Sequence, residues 1–322
     1  MVNRSVTASF LLAGALLATQ AIGAAPARVG DFALIDIAGE FHQLSRYGDK
    51  EALVLMAFDA SCGSMQSQVD QFEALEATWR DRDIAFGIIN ATPDATIDAA
   101  RSAQASFAIE LPFMLDSSQL VTRTLGLTKA GEVTVLDPAR LSSFYAGGLD
   151  SADASIEAKL SGKDAIAAAS LSGCELSFPS LDAIAATPPD YATDVAPIVI
   201  EQCASCHREG GIGPFALDSH LMLQGWSPMI REVLLTKRMP PMQVDPAIGH
   251  FDNDRALSGD QIEKLIGWID AGAPRGAAAV DPLAEVQFPD RKAWQLGEPD
   301  FIIKAPAMEI PATGVLDYID ID

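Results

Sequence analysis

The sequence predicts a multidomain chain: an α/β layered domain, a small all-α domain and a short C-terminal extension with β character. Three observations predict this. At 322 residues and 34.1 kDa the chain exceeds one small module. Across residues 29–178, short continuous apolar runs alternate with amphipathic stretches, as strands and helices do in layered α/β folds. From Tyr191 to Pro274 the apolar residues recur only at helical spacing. With 49% hydrophobic and 20% charged residues, the chain can bury a core and is not disordered overall.

Residues 1–25 read as a secretory signal: basic Arg4, an apolar run from Phe10 to Ile22, then small Gly23, Ala24 and Ala25. That run is short for a membrane span, which needs roughly 20 apolar residues. The expectation is therefore an exported, periplasmic protein with no membrane span after signal cleavage, in a compartment where thiols oxidise. Acidic residues outnumber basic ones 44 to 22, giving a net charge of -22. Such a surface repels phosphate backbones and argues against nucleic-acid partners.

In the first block, Ala52–Phe58 is a continuous apolar run suited to a buried parallel strand. A loop then leads into Met65–Trp79, with Val69, Phe72, Leu75 and Trp79 at helical spacing. Ile84 to Ile89 predicts a second strand, Thr96 to Ser106 an Ala-rich helix, and Leu111 to Leu115 a third strand. Val133 to Leu136 and Ser142 to Ala146 predict a hairpin-like pair around Asp137-Pro138. Cys62 falls between the first strand and its following helix, where the helix N-terminus favours a thiolate. Residues 179–190, with Pro188-Pro189 and several small residues, predict an exposed linker.

The second block, residues 191–275, carries Cys203-Ala204-Ser205-Cys206-His207, the Cys-x-x-Cys-His signature of covalent c-type haem attachment. Two thiols one helical turn apart can add to two vinyl groups on one porphyrin edge, and the adjacent His207 then lies beneath the iron. A zinc site would need two further thiol or imidazole ligands, for which His220 and His250 are the candidates. The preceding helix has Thr193 or Asp194 as candidate caps and an apolar face of Val195, Ile198 and Val199. Ser227-Pro228 is expected to open a helix that ends at Lys237-Arg238. Beyond it, Met239 precedes the stiff Pro240-Pro241 pair and is the expected distal ligand, ahead of Met222, Met229, Met242, His220 and His250. Ser258-x-x-Gln261 is a capping box for a closing helix that carries Ile262, Leu265, Ile266 and Ile269.

Several of these segments resemble known families. Asp31-Phe32, the strand into Ala60-Ser61-Cys62, Gly87-Ile88-Ile89-Asn90, Glu132-Val133-Thr134-Val135-Leu136-Asp137 and the later Gly173-Cys174 resemble the redoxin branch of the thioredoxin-like family, over residues 29–178. The resemblance implies Cys62 as a catalytic thiol, but the chain departs from the family at several positions, among them Asp59 and Leu55, where peroxiredoxins place Thr and Pro. Met65 stands where thioredoxins have their second cysteine, and Gly131 stands where the family places a cis-proline. Cys62 and Cys174 are the only thiols left once a haem takes two, so a disulfide between them is an expectation, beside an inert pair.

Tyr191 to Pro274, with Gly213-Pro214-Phe215 and Arg238-Met239-Pro240-Pro241, resembles a class I cytochrome c domain. That resemblance implies Cys203 and Cys206 as thioether anchors and His207 and Met239 as axial ligands of a single haem c. Residues 279–322, with Trp294-Gln295-Leu296-Gly297-Glu298-Pro299-Asp300 and Pro311-Ala312-Thr313-Gly314, resemble the opening of a copper type II, ascorbate-dependent monooxygenase-like domain, or else form a tail on the cytochrome. After His250 there is no histidine or cysteine, so no copper is expected in this chain.

The functional expectation is a periplasmic haem protein that passes single electrons to redox partner proteins, fused to a thioredoxin-like domain. The alternative is a thiol-dependent peroxidase or disulfide oxidoreductase acting through Cys62.

Overall fold

The computed structural model describes residues 27–166, 173–241, 251, 254–288, 297–304 and 307. The expected signal segment, Met242, His250 and most of the C-terminal extension lie outside the described residues.

The centre of the fold is β4, Ala52–Phe58, in which all seven residues are buried. A strand without a solvent face must be covered on both sides, and its unbroken apolar run meets that condition. On one edge β4 pairs in parallel with β5 (Ile84–Asn90), which pairs in parallel with β6 (Phe113–Leu115). On the other edge it pairs antiparallel with β7 (Val133–Asp137), and β7 with β8 (Ser142–Gly147). Three strands ahead of β4 extend the sheet: β1 (Ala27–Arg28), β2 (Ala33–Asp36) and β3 (Phe41–Gln43). The full order is β1-β8-β7-β4-β5-β6-β2-β3.

Helices pack on this mixed sheet. The longest in this part, α1 (Met65–Trp79), buries Met65, Val69 and Phe72, while Leu75 and Trp79 of the face read in the sequence are half-buried. The indole of Trp79 donates to Asp153 Oδ1 at 2.8 Å, tying α1 to α4 (Ala152–Leu160). Between them in the chain come α2 (Ile97–Ser106), capped by the Thr96 hydroxyl, and the short α3 (Leu120–Thr124). This is the α/β layered arrangement expected for the first block.

The segment expected to be a linker carries a helix instead, α5 (Pro179–Ala186). Proline at N1 pre-sets the first helical turn. Leu181 is buried, and the helix packs on α8 (Gly259–Asp270). The small residues that looked like linker composition allow close packing here. The helix stops before Pro188-Pro189, and only that pair behaves as punctuation.

The following part is helical. A π-helical turn over Tyr191–Val195 runs into α6 (Ala196–Gln202). Its cap is Asp190, whose carboxylate accepts from the amides of Ala192 and Thr193, and not Thr193 or Asp194. Then comes α7 (His220–Leu235), which contains Pro228 in its interior where the sequence placed a helix start. Ser219 caps α7 by accepting from Met222 N, a stronger start signal than Ser227-Pro228. Helix α8 shows the expected capping box, with Ser258 and Gln261 bonding reciprocally. Tyr191, His220 and Trp268 pack ring against ring, and Trp268 is the largest side chain buried here.

The helical part sits against the sheet part. Arg231 bonds Thr124 at 3.4 Å and Asp270 at 2.9 Å, while Arg123 pairs with Asp182. Asp116, enclosed after β6, accepts from Thr122 N and Oγ1 and attracts the half-buried Lys237 ammonium. Burial raises the Asp116 carboxyl above its ordinary range and lowers the Lys237 ammonium. Of the extension, Leu283 is buried, and Asp281 accepts from Tyr191 Oη and from His220 N. Phe301 and Ile303 are 81% and 85% exposed, so nothing in the described residues covers them.

Candidate functional site

β4 delivers the chain to Asp59, whose carboxylate accepts from Ser61 N and Oγ at 2.9 and 2.8 Å. The Asp59 carbonyl accepts from Cys62 N at 3.1 Å, so the turn is fixed from both ends. Cys62 then lies just ahead of α1, its carbonyl accepting the amide of Met65. The side chain is only 3% exposed.

Cys62 is bonded to Cys174, with Cα atoms 5.7 Å apart across a sequence separation of 112. The two cysteine residues differ in exposure: Cys62 is buried, whereas Cys174 is exposed. The Ser64 hydroxyl lies 3.3 Å from Cys62 Sγ and, since a disulfide sulfur carries no proton, the hydroxyl is the donor.

The Cys174 segment is held as a strand. Ala130 N donates to Cys174 O at 2.9 Å, Leu176 N donates to Thr128 O at 2.7 Å, and Lys129 and Glu175 form an antiparallel bridge. The Gln119 amide donates to Ser177 O at 2.8 Å and to Ala91 O at 2.7 Å. Next to this strand, Gly131 has φ 82 and its amide donates to Ala57 O. A Cβ there would lie 2.3 Å from the Gln68 amide, so both conformation and space call for glycine. The departure from cis-proline thus has a local cause.

The second candidate site follows α6. Cys203, Cys206 and His207 share one turn, with Cys206 N and His207 N both donating to Cys203 O. Both thiols are free and partly buried. Burial pushes the Cys203 thiol up to about 11, with the Cys206 thiol adding a smaller effect. The His207 ring packs on Phe215, and its Nδ1 lies 3.2 Å from the Phe215 carbonyl. A hydrogen bond donated there leaves Nε2 as the ligating nitrogen, the arrangement common to metal-bound imidazoles. The loop closes tightly over this turn: a Cβ on Gly213 would stand 2.7 Å from His207 Nδ1. The residues therefore fit a covalently held haem on one side.

Of the ligand rivals, His220 Nε2 is engaged with Ala273 O, while Met222 and Met229 are 36% and 47% exposed. Met239 is 37% exposed, its amide donating to Val233 O. Met242 and His250 lie outside the described residues.

A third cluster was not signalled by any sequence pattern. Ligand atoms of Asp36, Glu40 and His42 lie within 4.8 Å of one another. Both His42 nitrogens are already engaged, with Tyr47 Oη at 2.6 Å and Asp36 Oδ2 at 3.1 Å. Asp36 Oδ1 accepts from the amides of Ala38 and Glu40. The cluster is a hydrogen-bonded node that closes the β2–β3 turn.

Fold and site together define a mixed α/β unit with a disulfide at the head of its first long helix, joined to a helical unit bearing Cys-x-x-Cys-His. No family model and no curated protein matches the sequence. Solved structures do match part of it. A hypothetical protein from Sinorhizobium meliloti is 20% identical, covering 47% of this chain and 92% of its own, with a TM-score of 0.41. Peroxidoxin BcpB from Mycobacterium tuberculosis is 16% identical, covering 42% of this chain and 96% of its own, with a TM-score of 0.36. A thiol:disulfide interchange protein of the thioredoxin family from Chlorobium tepidum is 16% identical, covering 42% and 98%, with a TM-score of 0.36. Among the described residues no helix is long and apolar enough to cross a membrane.

Proposed function

We propose that this chain is an exported thiol–disulfide oxidoreductase whose thioredoxin-like unit works through the Cys62–Cys174 pair. The observation that carries the reading is the asymmetry of that disulfide, one cysteine residue exposed and the other buried ahead of a 15-residue helix. A thiolate from a donor dithiol attacks Sγ of Cys174, the exposed residue of the pair, forming a donor–Cys174 bond as the Cys62–Cys174 bond breaks. The electron pair leaves on Cys62, where the Ser64 hydroxyl and the α1 N-terminus favour the anion. The donor's second thiolate then attacks the mixed disulfide, releasing Cys174 and departing as a disulfide. The protein gains two electrons, and two protons balance the two new thiols. Run backwards, the same steps reduce a disulfide partner.

This polarity is directly testable. The oxidised protein is treated with a limiting monothiol, quenched in acid and mapped by mass spectrometry. The expected adduct is on Cys174. An adduct on Cys62 would reverse the proposed roles, and no reaction without denaturant would overturn the reading.

The Cys203–His207 turn carries a second reading, that the helical unit holds one haem c and exchanges single electrons with redox proteins. When bound, such a group supplies one-electron chemistry. Cys203 and Cys206 would anchor it, His207 would ligate with its ring oriented by the Phe215 carbonyl, and Met239 would be the distal ligand. Protein from a periplasm able to attach haem should keep its colour through acid–acetone extraction. Extractable colour, or zinc in place of iron, would refute this second reading.

A further inference from the structure

The turn between β2 and β3 brings two carboxylates and one imidazole to a single point, with ligand atoms of Asp36, Glu40 and His42 within 4.8 Å of one another. Asp36 and His42 are 7% and 9% exposed, whereas Glu40 is exposed. The amides of Ala38 and Glu40 donate to Asp36 Oδ1, which fixes the carboxylate with Oδ2 at 3.1 Å from His42 Nε2. The other ring nitrogen, Nδ1, is held by Tyr47 Oη at 2.6 Å. An imidazole anchored at one nitrogen, with the other facing a carboxylate, is oriented as metal-bound histidines are. Two further observations point to a cation. Among the described residues neither carboxylate forms an ion pair with a lysine or arginine, so their two negative charges converge without a cationic side chain. A cavity of 480 Å³ also opens onto Asp36 and Glu40, bounded by Gln104, Glu110 and Pro112. Arg101 lines the same cavity, but its pair is Asp98 at 3.5 Å.

We propose that Asp36 Oδ2, the Glu40 carboxylate and His42 Nε2 bind one zinc ion, with a fourth position open to the cavity and filled by water. Imidazole with carboxylates is a donor set that suits zinc, and three protein ligands plus water make its open tetrahedral form. Bonds of about 2.0 Å in that geometry set ligand atoms roughly 3.3 Å apart. Asp36 Oδ2 and His42 Nε2 already have nearly that spacing, so the exposed Glu40 side chain makes the closing movement. The metal takes the Nε2 lone pair, and the ring proton resides on Nδ1 and is donated to Tyr47 Oη. The site is separate from the disulfide. β4, β5 and β6 run parallel, and Cys62 follows the end of β4, whereas the cavity borders residues 111–113 at the start of β6. Zinc there clips the β2–β3 hairpin, whose second strand is the edge of the sheet, and does not depend on the thiol chemistry.

The test uses the full chain with the Cys62–Cys174 bond oxidised and with Cys203→Ser and Cys206→Ser, which removes the competing thiols. The protein is stripped with chelator and titrated with zinc chloride in a calorimeter, in 0.15 M salt and excess Mg²⁺ to screen the acidic surface. We expect one tight equivalent and a higher thermal midpoint in its presence. His42→Ala should weaken binding by about a hundredfold or more, and Glu40→Gln by about tenfold. Tyr47→Phe, which touches no metal, should also cost about tenfold, the scale of a lost partner to a ligating histidine. If His42→Ala does not fold, Glu40→Gln decides the matter, because that side chain is exposed. No zinc binding, several weak equivalents only, or a tight equivalent that persists unchanged in Glu40→Gln and Tyr47→Phe would overturn the proposal.

Discussion

Cutting the Cys62–Cys174 bond should destabilise the α/β unit by an amount set by the loop it closes. The bond spans a sequence separation of 112, including β5 through β8 and the four helices α1 to α4. Chain-entropy arithmetic for a closed loop of that size gives about 5 kcal/mol at 25 °C. This is an upper value, since a compact reduced ensemble would already have lost part of that entropy. Native contacts of the strand survive the cut, because the bonds to Thr128, Ala130 and Gln119 do not involve sulfur. The variant is Cys174→Ser, compared with oxidised parent by equilibrium urea unfolding. Parent in excess reductant should unfold at the same midpoint as the variant, both well below the oxidised parent. A change in slope would mark altered compactness of the unfolded chain. If Cys174→Ser unfolds together with oxidised parent, the loop argument is refuted.

Other consequences follow from the same contacts. Glu263 on α8 is buried near Asp94 and Asp260, and burial above all pushes its carboxyl up to about 7. Because the folded value lies above the unfolded one, the folded protein binds the extra proton, and stability falls as pH rises from about 4.5 towards 7. Glu263→Gln should therefore raise stability at pH 8 by roughly 2–3 kcal/mol and change little at pH 4, read from urea midpoints; equal effects at both pH values would contradict this. Gly131→Ala forces a side chain into the left-handed region and against Gln68, and should cost about 1–3 kcal/mol in thermal unfolding. In haem-loaded protein, Met239→Ala should abolish the near-infrared methionine–iron band and lower the reduction potential, and survival of the band would reassign the ligand.

The parts of this molecule that sequence made legible are those governed by local rules. β4 and α1 could be bounded from their apolar spacing alone, and Ser258-x-x-Gln261 announced α8 because a capping box is contained in four residues. α5 was hidden because its composition, small residues beside Pro188-Pro189, fits a linker unless a partner helix covers Leu181. Pro228 misled for a related reason: proline marks helix starts on average, yet here α7 already had its cap at Ser219 and carried the proline internally. β2 and β3 are too short to leave a pattern and exist through pairing with β6 and each other. In the site, Cys62 could be placed at a strand–helix junction. Its partner's exposure, the strand around Cys174 and the grip of Gln119 come from contacts far apart in sequence, and no local spacing encodes them.

In the proposed chemistry the Cys62–Cys174 bond is exchanged in the native protein and is not a permanent staple. Equilibrating the native chain in dithiol–disulfide buffers of graded potential, then alkylating and mapping the four cysteines, tests it most directly. Cys62 and Cys174 should convert together as one two-electron couple while the fold persists, at a potential above the roughly −300 mV typical of structural disulfides. A pair that stays oxidised until the protein is unfolded would contradict it.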